Sequence, residues 1–370
     1  AVLNAANTFE GDTTFGWGPV ITTGSNQKGW TIILGNKDAL QNSTVVWENA
    51  NGYNENAGRP YKLVFNAGNE TYTRGGLAGS KDADTARWTS LNNASKTVAI
   101  GNNDKDTTFT GKISWGATHL EKIGTGTLTL TNVNAFTGST TITDGTLEIS
   151  GSGSINATSG VTINGGNLSY NSSVAYSGAM AFTAGTLSGT NWTGALDAQT
   201  VGTGQTIAPG NSPGTANTGS QTWAGGGTYL WEVNDATGTA GADPGWDLVS
   251  GTGTLDITAT SGSKFTLEVV SLLASNAPGD ADNFNALSSY NWLIADFVNS
   301  VTGFDAANFD IDTAGFSNAF GGTFGVALGD TFGIGGDDSQ VYLTYVGIPE
   351  PATALLGSLG LLVLLRRRRL

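Results

Sequence analysis

The chain has 370 residues, no cysteine, and a formal net charge of −14 from 30 acidic and 16 basic side chains. The acidic balance argues against nucleic acid as a partner, and the absence of cysteine excludes disulfides and thiolate metal sites. With 55 glycines, 8 prolines and 38% hydrophobic residues, the composition is too apolar for a disordered chain and indicates a β-rich protein with many tight turns.

Residues 1–104 predict a β-rich N-terminal cap together with the early coils of a solenoid. The segment contains strand-like runs at 30–34 and 61–65 and four tryptophans, Trp17, Trp30, Trp47 and Trp88. An open solenoid end exposes unpaired strand edges and needs a cap. The chain begins with alanine and its only methionine is Met180, which predicts that a secretory signal has been removed.

The sequence holds few residues suited to catalysis. His119 is the only histidine, so it is the one base on which a Ser-His-Asp triad could be built; we interpret it as a surface residue in a turn that enters a coil. Asp144 and Glu148 are a carboxylate pair of the kind that a glycoside hydrolase needs. We interpret Asp144 as a turn residue and Glu148 as an outward strand residue. Residues 123–263 contain no Lys or Arg, which disfavours a lyase.

A Gly-x-Leu triplet recurs through residues 105–218, the segment that we predict to be solenoid repeats. Its glycines are Gly126, Gly145, Gly166 and Gly185, at intervals of 19, 21 and 19 residues. Each unit alternates aliphatic residues with threonine, which predicts strands with Leu or Ile facing inward and Thr facing outward. A fixed period near twenty residues indicates stacked β-coils that bury one another's apolar faces.

Residues 120–150 combine a Gly-Thr-Gly-Thr-Leu strand, the turn Asn134–Gly138 and a later Gly-Thr-Leu strand. This pattern resembles the autotransporter-associated β-strand repeat. Residues 207–214, Ile-Ala-Pro-Gly-Asn-Ser-Pro-Gly, resemble a corner found in the same kind of protein. The resemblance implies a right-handed parallel β-helix, the shape of many adhesin passengers.

Residues 219–346 predict a β-rich C-terminal segment that continues or closes the solenoid, with one short helix within Phe284–Phe297. Its Gly- and Asn-rich loops carry carboxylates, the hard ligands that calcium prefers. We expect either a calcium site at Asp280, Asp282, Asp337 and Asp338 or solvated turn residues; Asp305, Asp310, Asp312 and Asp330 are further candidates. Trp223, Trp231, Trp246 and Trp292 are predicted either to stack on sugar rings or to belong to the core.

Residues 347–370 form a three-part tail. Pro349, Glu350 and Pro351 precede an uncharged run over 352–365 and then Arg366, Arg367, Arg368 and Arg369. The run predicts a membrane helix whose basic end stays cytoplasmic, although fourteen residues extend only ~21 Å against the ~30 Å of a bilayer core. The order of the parts resembles the PEP-CTERM sorting signal, which implies processing by an exosortase in cells that make exopolysaccharide.

These observations predict an exported, all-β, non-enzymatic protein. It would be anchored transiently in the inner membrane and then act as a structural or adhesive component of the cell surface, a biofilm or an exopolysaccharide layer. We expect no cofactor other than calcium. Two alternatives remain open from the sequence: a carbohydrate-active β-helix enzyme, either a polysaccharide lyase or a hydrolase, and a calcium-stabilised carbohydrate-binding module.

Overall fold

The computed structural model describes residues 2–15, 31–47, 62–65, 70–80, 83–84, 88–90, 96–192, 198–210, 212–329 and 337–348. Within these ranges the secondary structure is β-strand, apart from one turn of 3-10 helix at Ala306–Asn308. The prediction of an all-β protein is confirmed.

The strands are short and follow one another closely along the chain. The first nine are β1 (Val2–Leu3), β2 (Thr13–Phe15), β3 (Thr31–Leu34), β4 (Leu40–Trp47), β5 (Lys62–Phe65), β6 (Thr71–Gly79), β7 (Ala83–Asp84), β8 (Trp88–Ser90) and β9 (Thr97–Ile100). The middle of the chain forms β10 (Thr107–Phe109), β11 (Ile113–Ser114), β12 (His119–Lys122), β13 (Thr127–Leu130), β14 (Thr140–Ile142), β15 (Thr146–Gly151), β16 (Val161–Ser172), β17 (Met180–Gly189), β18 (Gln199–Val201), β19 (Gln205–Pro209) and β20 (Thr215–Thr218). The remainder forms β21 (Gln221–Trp223), β22 (Thr228–Val233), β23 (Thr239–Ala240), β24 (Gly245–Trp246), β25 (Leu248–Gly251), β26 (Leu255–Ile257), β27 (Phe265–Ser271), β28 (Tyr290–Phe297), β29 (Phe309–Asp312), β30 (Thr323–Leu328) and β31 (Gln340–Val346).

The Gly-x-Leu repeat forms one strand in each coil of a parallel stack. Strands β13, β15, β16, β17, β19, β22, β27 and β29 pair in that order, all parallel. Their register places equivalent residues directly over one another, and the inward column reads Leu128, Leu147, Leu168, Leu187, Ile207, Tyr229, Leu267 and Ile311. The predicted inward aliphatic column is therefore confirmed, and it continues beyond the repeat itself.

A second parallel ladder runs beside the first. It contains β6, β9, β12 and β14, followed by the early residues of β16 and β17. Because β16 and β17 span 12 and 10 residues, each contributes to both ladders. The described strands of residues 1–104 also pair in parallel, with β2 on β4 and β4 on β6, and β3 on β5 and β5 on β8.

The C-terminal segment closes with antiparallel strands. A five-stranded sheet has the order β20-β25-β28-β31-β30, in which β31 is antiparallel to both of its neighbours. The prediction of a helix within Phe284–Phe297 is wrong, because Tyr290–Phe297 is a strand. Its aromatic and aliphatic residues suit a pleated surface. The pattern of a short apolar run does not distinguish helix from strand, and here pairing with β31 makes it a strand.

Across the described part of the chain, no helix is long and apolar enough to cross a membrane. The predicted helix 352–365 lies outside the described residues. The right-handed sense of the coil and the domain boundaries stay predictions.

Candidate functional site: a threonine column on the outer face

The outer face of the first ladder carries a continuous row of hydroxyl and amide side chains. Strand register places Thr127, Thr146, Asn167, Thr186, Thr206, Thr228 and Thr266 directly above one another. We call this row the threonine column. All of its members are half-buried, as expected for residues that alternate with the inward column. With neighbouring strands ~4.8 Å apart, the row is ~29 Å long and runs perpendicular to the strands.

The two ends of the column differ in hydrogen bonding. Near the start, the Asn167 amide donates to the Thr146 hydroxyl at 3.4 Å, and the Ser188 hydroxyl donates to Asn167 at 3.1 Å. The later members, Thr186, Thr206, Thr228 and Thr266, are half-buried residues of the outer face, and no hydrogen bond joins their hydroxyls to another described side chain. These four are the members best placed to bind a ligand.

The turn Asn134–Gly138 lies between Thr127 and Thr146, the first two members of the column, and explains why the repeat needs its asparagine and its glycine. Buried Asn134 accepts a hydrogen bond from the Ile113 amide at 2.9 Å and donates to Asn132 and Ser154 carbonyls. A Cβ on Gly138 would stand only 2.2 Å from the Thr118 carbonyl oxygen, so only glycine fits. This turn anchors one coil to both of its neighbours.

His119 is the first residue of β12 and not a turn residue, which corrects the sequence interpretation. Its Nδ1 accepts a hydrogen bond from the Ser139 amide at 2.9 Å and lies 2.7 Å from the Ser139 hydroxyl. The pair lines a shallow depression of about 340 Å³ together with Thr97, Leu120, Glu121 and Thr141. Since the amide contact makes Nδ1 an acceptor, the pair links two coils along the outer face.

The carboxylates considered for hydrolysis have separate partners. Exposed Asp144 accepts a hydrogen bond from the Gly145 amide at 2.8 Å, which is the behaviour of a turn residue. Glu148 is an outward residue of β15 and accepts a hydrogen bond from the Thr129 hydroxyl at 2.8 Å. Each residue thus lies where the sequence predicted. The expectation that the chain is not an enzyme stays a prediction.

The candidate calcium ligands lie in separate loops. Exposed Asp280 and Asp282 flank buried Ala281, while Asp337 accepts hydrogen bonds from the Ser339 amide and hydroxyl, which lower its pKa. Asp338 accepts from the Ser300 hydroxyl at 3.0 Å. No group of three or more metal-ligating side chains occurs among the described residues.

The remaining acidic candidates have local roles where the structure describes them. Asp305 caps the 3-10 helix by accepting from the Ala307 amide at 2.9 Å. Asp310 and Asp312 are exposed residues of β29, and Asp330 lies outside the described residues. A calcium site stays a prediction.

The tryptophans considered for sugar stacking belong mainly to the core. Trp223 and Trp231 are 0% exposed and Trp292 is 1% exposed. Trp223 stacks on Phe265 with ring centroids 4.9 Å apart, and Trp292 stacks on Tyr290 at the same distance. Trp246 is partly buried and donates a hydrogen bond to the Leu293 carbonyl at 3.0 Å. Because Trp223, Trp231 and Trp292 have no exposed ring face, sugar stacking by them is excluded.

A buried acid pair was missed by the sequence reasoning. Asp247 is 0% exposed, and its carboxylate accepts hydrogen bonds from the Gly214 amide at 2.8 Å and the Glu232 amide at 3.0 Å. Burial raises the pKa of Asp247 well above its ordinary value, and burial also raises the pKa of Glu232. These two hydrogen bonds join the corner at Ser212–Gly214 to β22. Since Asp247 has no access to solvent, it does not contact a ligand.

Two basic side chains were also missed, because they occupy an inward column. In the second ladder Arg74 stacks on Ile100, Ile100 on Lys122, and Lys122 on Ile142. Arg74 is 0% and Lys122 is 1% exposed. The Lys122 ammonium donates to the carbonyls of Ile123 and Gly124 at 2.7 Å and of Asp144 at 3.3 Å. Lys122 therefore acts as an internal cation that holds the corner of two coils.

The sorting residues Pro349, Glu350, Pro351 and Arg366 to Arg369 lie outside the described residues. Residues 120–149 match the family model of the passenger-associated-transport-repeat, which confirms the resemblance for that segment. No curated protein matches the chain. The matched residues form β12 to β15 of the two ladders, so the threonine column begins within a repeat that suggests an exported, passenger-like β-helix.

Proposed function

We propose that this chain is an exported, non-enzymatic β-solenoid that acts as a structural or adhesive component of the cell surface or of an exopolysaccharide layer. One observation carries the proposal: the threonine column begins inside the matched repeat 120–149 and continues in register through five further strands to Thr266. A long, regular row on the outer face suits binding along an extended surface.

The tail supplies the proposed route of export. Pro349, Glu350 and Pro351 would be the sorting motif, the run 352–365 would insert into the inner membrane, and the arginines would remain in the cytoplasm. An exosortase-type enzyme would then process the tail and release the solenoid to the outer surface. Support for this route comes from the order of the three parts in the sequence.

Expression of the full chain in hosts with and without an exosortase tests this route. We expect a shorter C-terminus by intact mass, and release into the outer-surface fraction, only in the host that has the enzyme. Pro349→Ala should block both changes, whereas Pro278→Ala, in an exposed loop, should leave them unchanged. An unaltered tail in both hosts, or a wild-type body retained in the cytosol, would overturn the proposal.

The non-enzymatic part of the proposal has its own test. Purified protein is incubated with alginate, pectin and β-glucan, and reducing ends and unsaturated products are measured over time. We expect no release above the level of a buffer control. Release that disappears in Ser139→Ala or in Glu148→Gln would instead support the carbohydrate-active enzyme.

A further inference from the structure

We propose that the threonine column binds an extended, uncharged polysaccharide whose chain runs along the solenoid axis, perpendicular to the strands. This inference rests on the proposed function, because it names the polymer class that the outer face of the exported solenoid recognises. It assigns recognition to Thr186, Thr206, Thr228 and Thr266.

The direction of the ligand follows from strand register. Thr186 pairs with Thr206, Thr206 with Thr228 and Thr228 with Thr266, so successive hydroxyls repeat along the stack at ~4.8 Å. Along a single strand, outward residues change in chemical type, as from Thr206 to Ala208 in β19. Only a ligand parallel to the axis meets the same chemistry at every step.

The chemistry of the row suits a sugar polymer. Each threonine has a hydroxyl, which donates one hydrogen bond and accepts up to two. Its methyl group can contact the C–H face of a sugar ring. The positions two residues before the middle members are Gly165, Ala184, Gly204 and Gly226. These four positions carry no side chain larger than a methyl group.

Charge selects an uncharged polymer over an anionic one. The column itself contains no ionisable side chain, while Asp144 and Glu148 lie on its first rungs and Glu232 lies on β22, the strand of Thr228. At the other end Thr266 pairs with Asp310, and Glu268 is the next outward residue of the same strand. A uronate polymer that follows the column would meet carboxylates at both ends without a compensating basic cluster.

Individual hydroxyl contacts are weak, so affinity should come from many contacts made at once. An oligosaccharide shorter than the ~29 Å column reaches only some of the hydroxyls. Affinity should therefore rise with oligosaccharide length and then level off once the column is covered.

The test uses the purified full chain and affinity electrophoresis or calorimetry. The uncharged probes are a β-1,3-glucan, a β-1,4-glucan and dextran, and the charged probes are alginate and chitosan at physiological salt. In the test variant, Thr186→Val, Thr206→Val and Thr228→Val remove three hydroxyls but keep β-branched side chains that suit a strand. The control variant, Thr141→Val with Thr162→Val, makes the same change on the outer face of the second ladder.

We expect at least one uncharged glucan to bind, with about tenfold or greater loss of affinity in the triple variant and no loss in the control. Both variants should keep the wild-type circular dichroism spectrum. Failure of all three uncharged glucans, tighter binding of alginate or chitosan, or equal loss in both variants would overturn the inference. If the triple variant is exported correctly, the surface location does not depend on glucan binding, and failure of the glucans to bind the wild type then counts against the inference and not against the proposed export.

Discussion

Replacing Lys122 with methionine should destabilise the solenoid at neutral pH and remove a pH dependence that we expect of the wild type above pH 8. Methionine keeps the length of the side chain and is compatible with Ile100 and Ile142, the neighbours in the same inward column. The substitution removes the ammonium that donates to three carbonyls. Lys105→Met is the matched control, because Lys105 is an exposed lysine.

The expected magnitude follows from two opposing effects. Three carbonyls lose their donor, and because the corner is partly open to water each loss costs about 1 kcal/mol, or about 3 kcal/mol together. Against this, burial lowers the pKa of Lys122 from 10.5 to about 8, an unfavourable effect that the variant escapes. Because water reaches the corner, we discount the free energy that the variant regains by losing the buried ammonium to about 1–2 kcal/mol. The net loss at pH 7 is therefore about 1–2 kcal/mol.

The sign of the pH dependence follows from proton binding. Between pH 8 and pH 10.5 the unfolded chain binds more protons at this lysine than the folded chain does, so stability increases with pH across that window. The contribution is smallest below pH 8, where the ammonium is charged in both states. Lys122→Met should lack this rise, so the difference between wild type and variant should grow from pH 7 to pH 10.

Urea unfolding followed by tryptophan fluorescence at pH 7, 8, 9 and 10 measures this difference, because the slope with denaturant and the midpoint together give the free energy of unfolding. Titration of the other groups affects wild type and variant alike and cancels in the comparison. A variant as stable as the wild type at pH 7, or a difference that stays constant up to pH 10, would refute the role of Lys122 as an internal cation.

Three further predictions concern the coil corners and the sheet edge. Gly138→Ala should lower the free energy of unfolding by about 1–3 kcal/mol through overpacking against a neighbouring backbone, whereas Gly262→Ala, whose Cβ would meet nothing within 4 Å, should be nearly neutral in the same urea titration. Asp247→Asn should destabilise the protein at pH 7 by about 1–3 kcal/mol, because its amide group cannot accept from both backbone donors. Because the folded-state pKa of Asp247 is raised, wild-type stability should fall as pH rises above about 4. The asparagine variant should lack this fall, and parallel plots of stability against pH for the two proteins would contradict the prediction. Asp310→Thr with Asp312→Thr should promote edge-to-edge association of β29, visible as larger species by light scattering at high concentration, and a monodisperse variant would argue against a protective role for these carboxylates.

The repeating coil could be predicted from the sequence because its signal is local. A Gly-x-Leu triplet at intervals near twenty residues, with alternation of Leu and Thr, specifies strand, inward face and stacking period within each unit. The inward column Leu128, Leu147, Leu168 and Leu187 follows directly. The short helix expected within Phe284–Phe297 was wrong because pairing with a strand about fifty residues further along the chain decides that segment.

The threonine column was only partly predictable. Outward threonines follow from alternation in each strand, but the intervals after Thr206 are 22 and 38 residues, which break the repeat. Only the observed register shows that Thr228 and Thr266 continue the same row. The sequence could therefore give the chemistry of the outer face but not its length.

The sequence by itself determined the coil period, the composition of the inward and outward faces and the glycine corners, because each depends on residues close together along the chain. Tertiary structure alone decided the burial of Lys122 and Asp247. A charged group is placed in the interior only where partners from other coils converge on it: the Asp144 carbonyl is 22 residues from Lys122, and the Gly214 amide is 33 residues from Asp247. Such convergence depends on how the coils stack, and that stacking is a property of the whole solenoid.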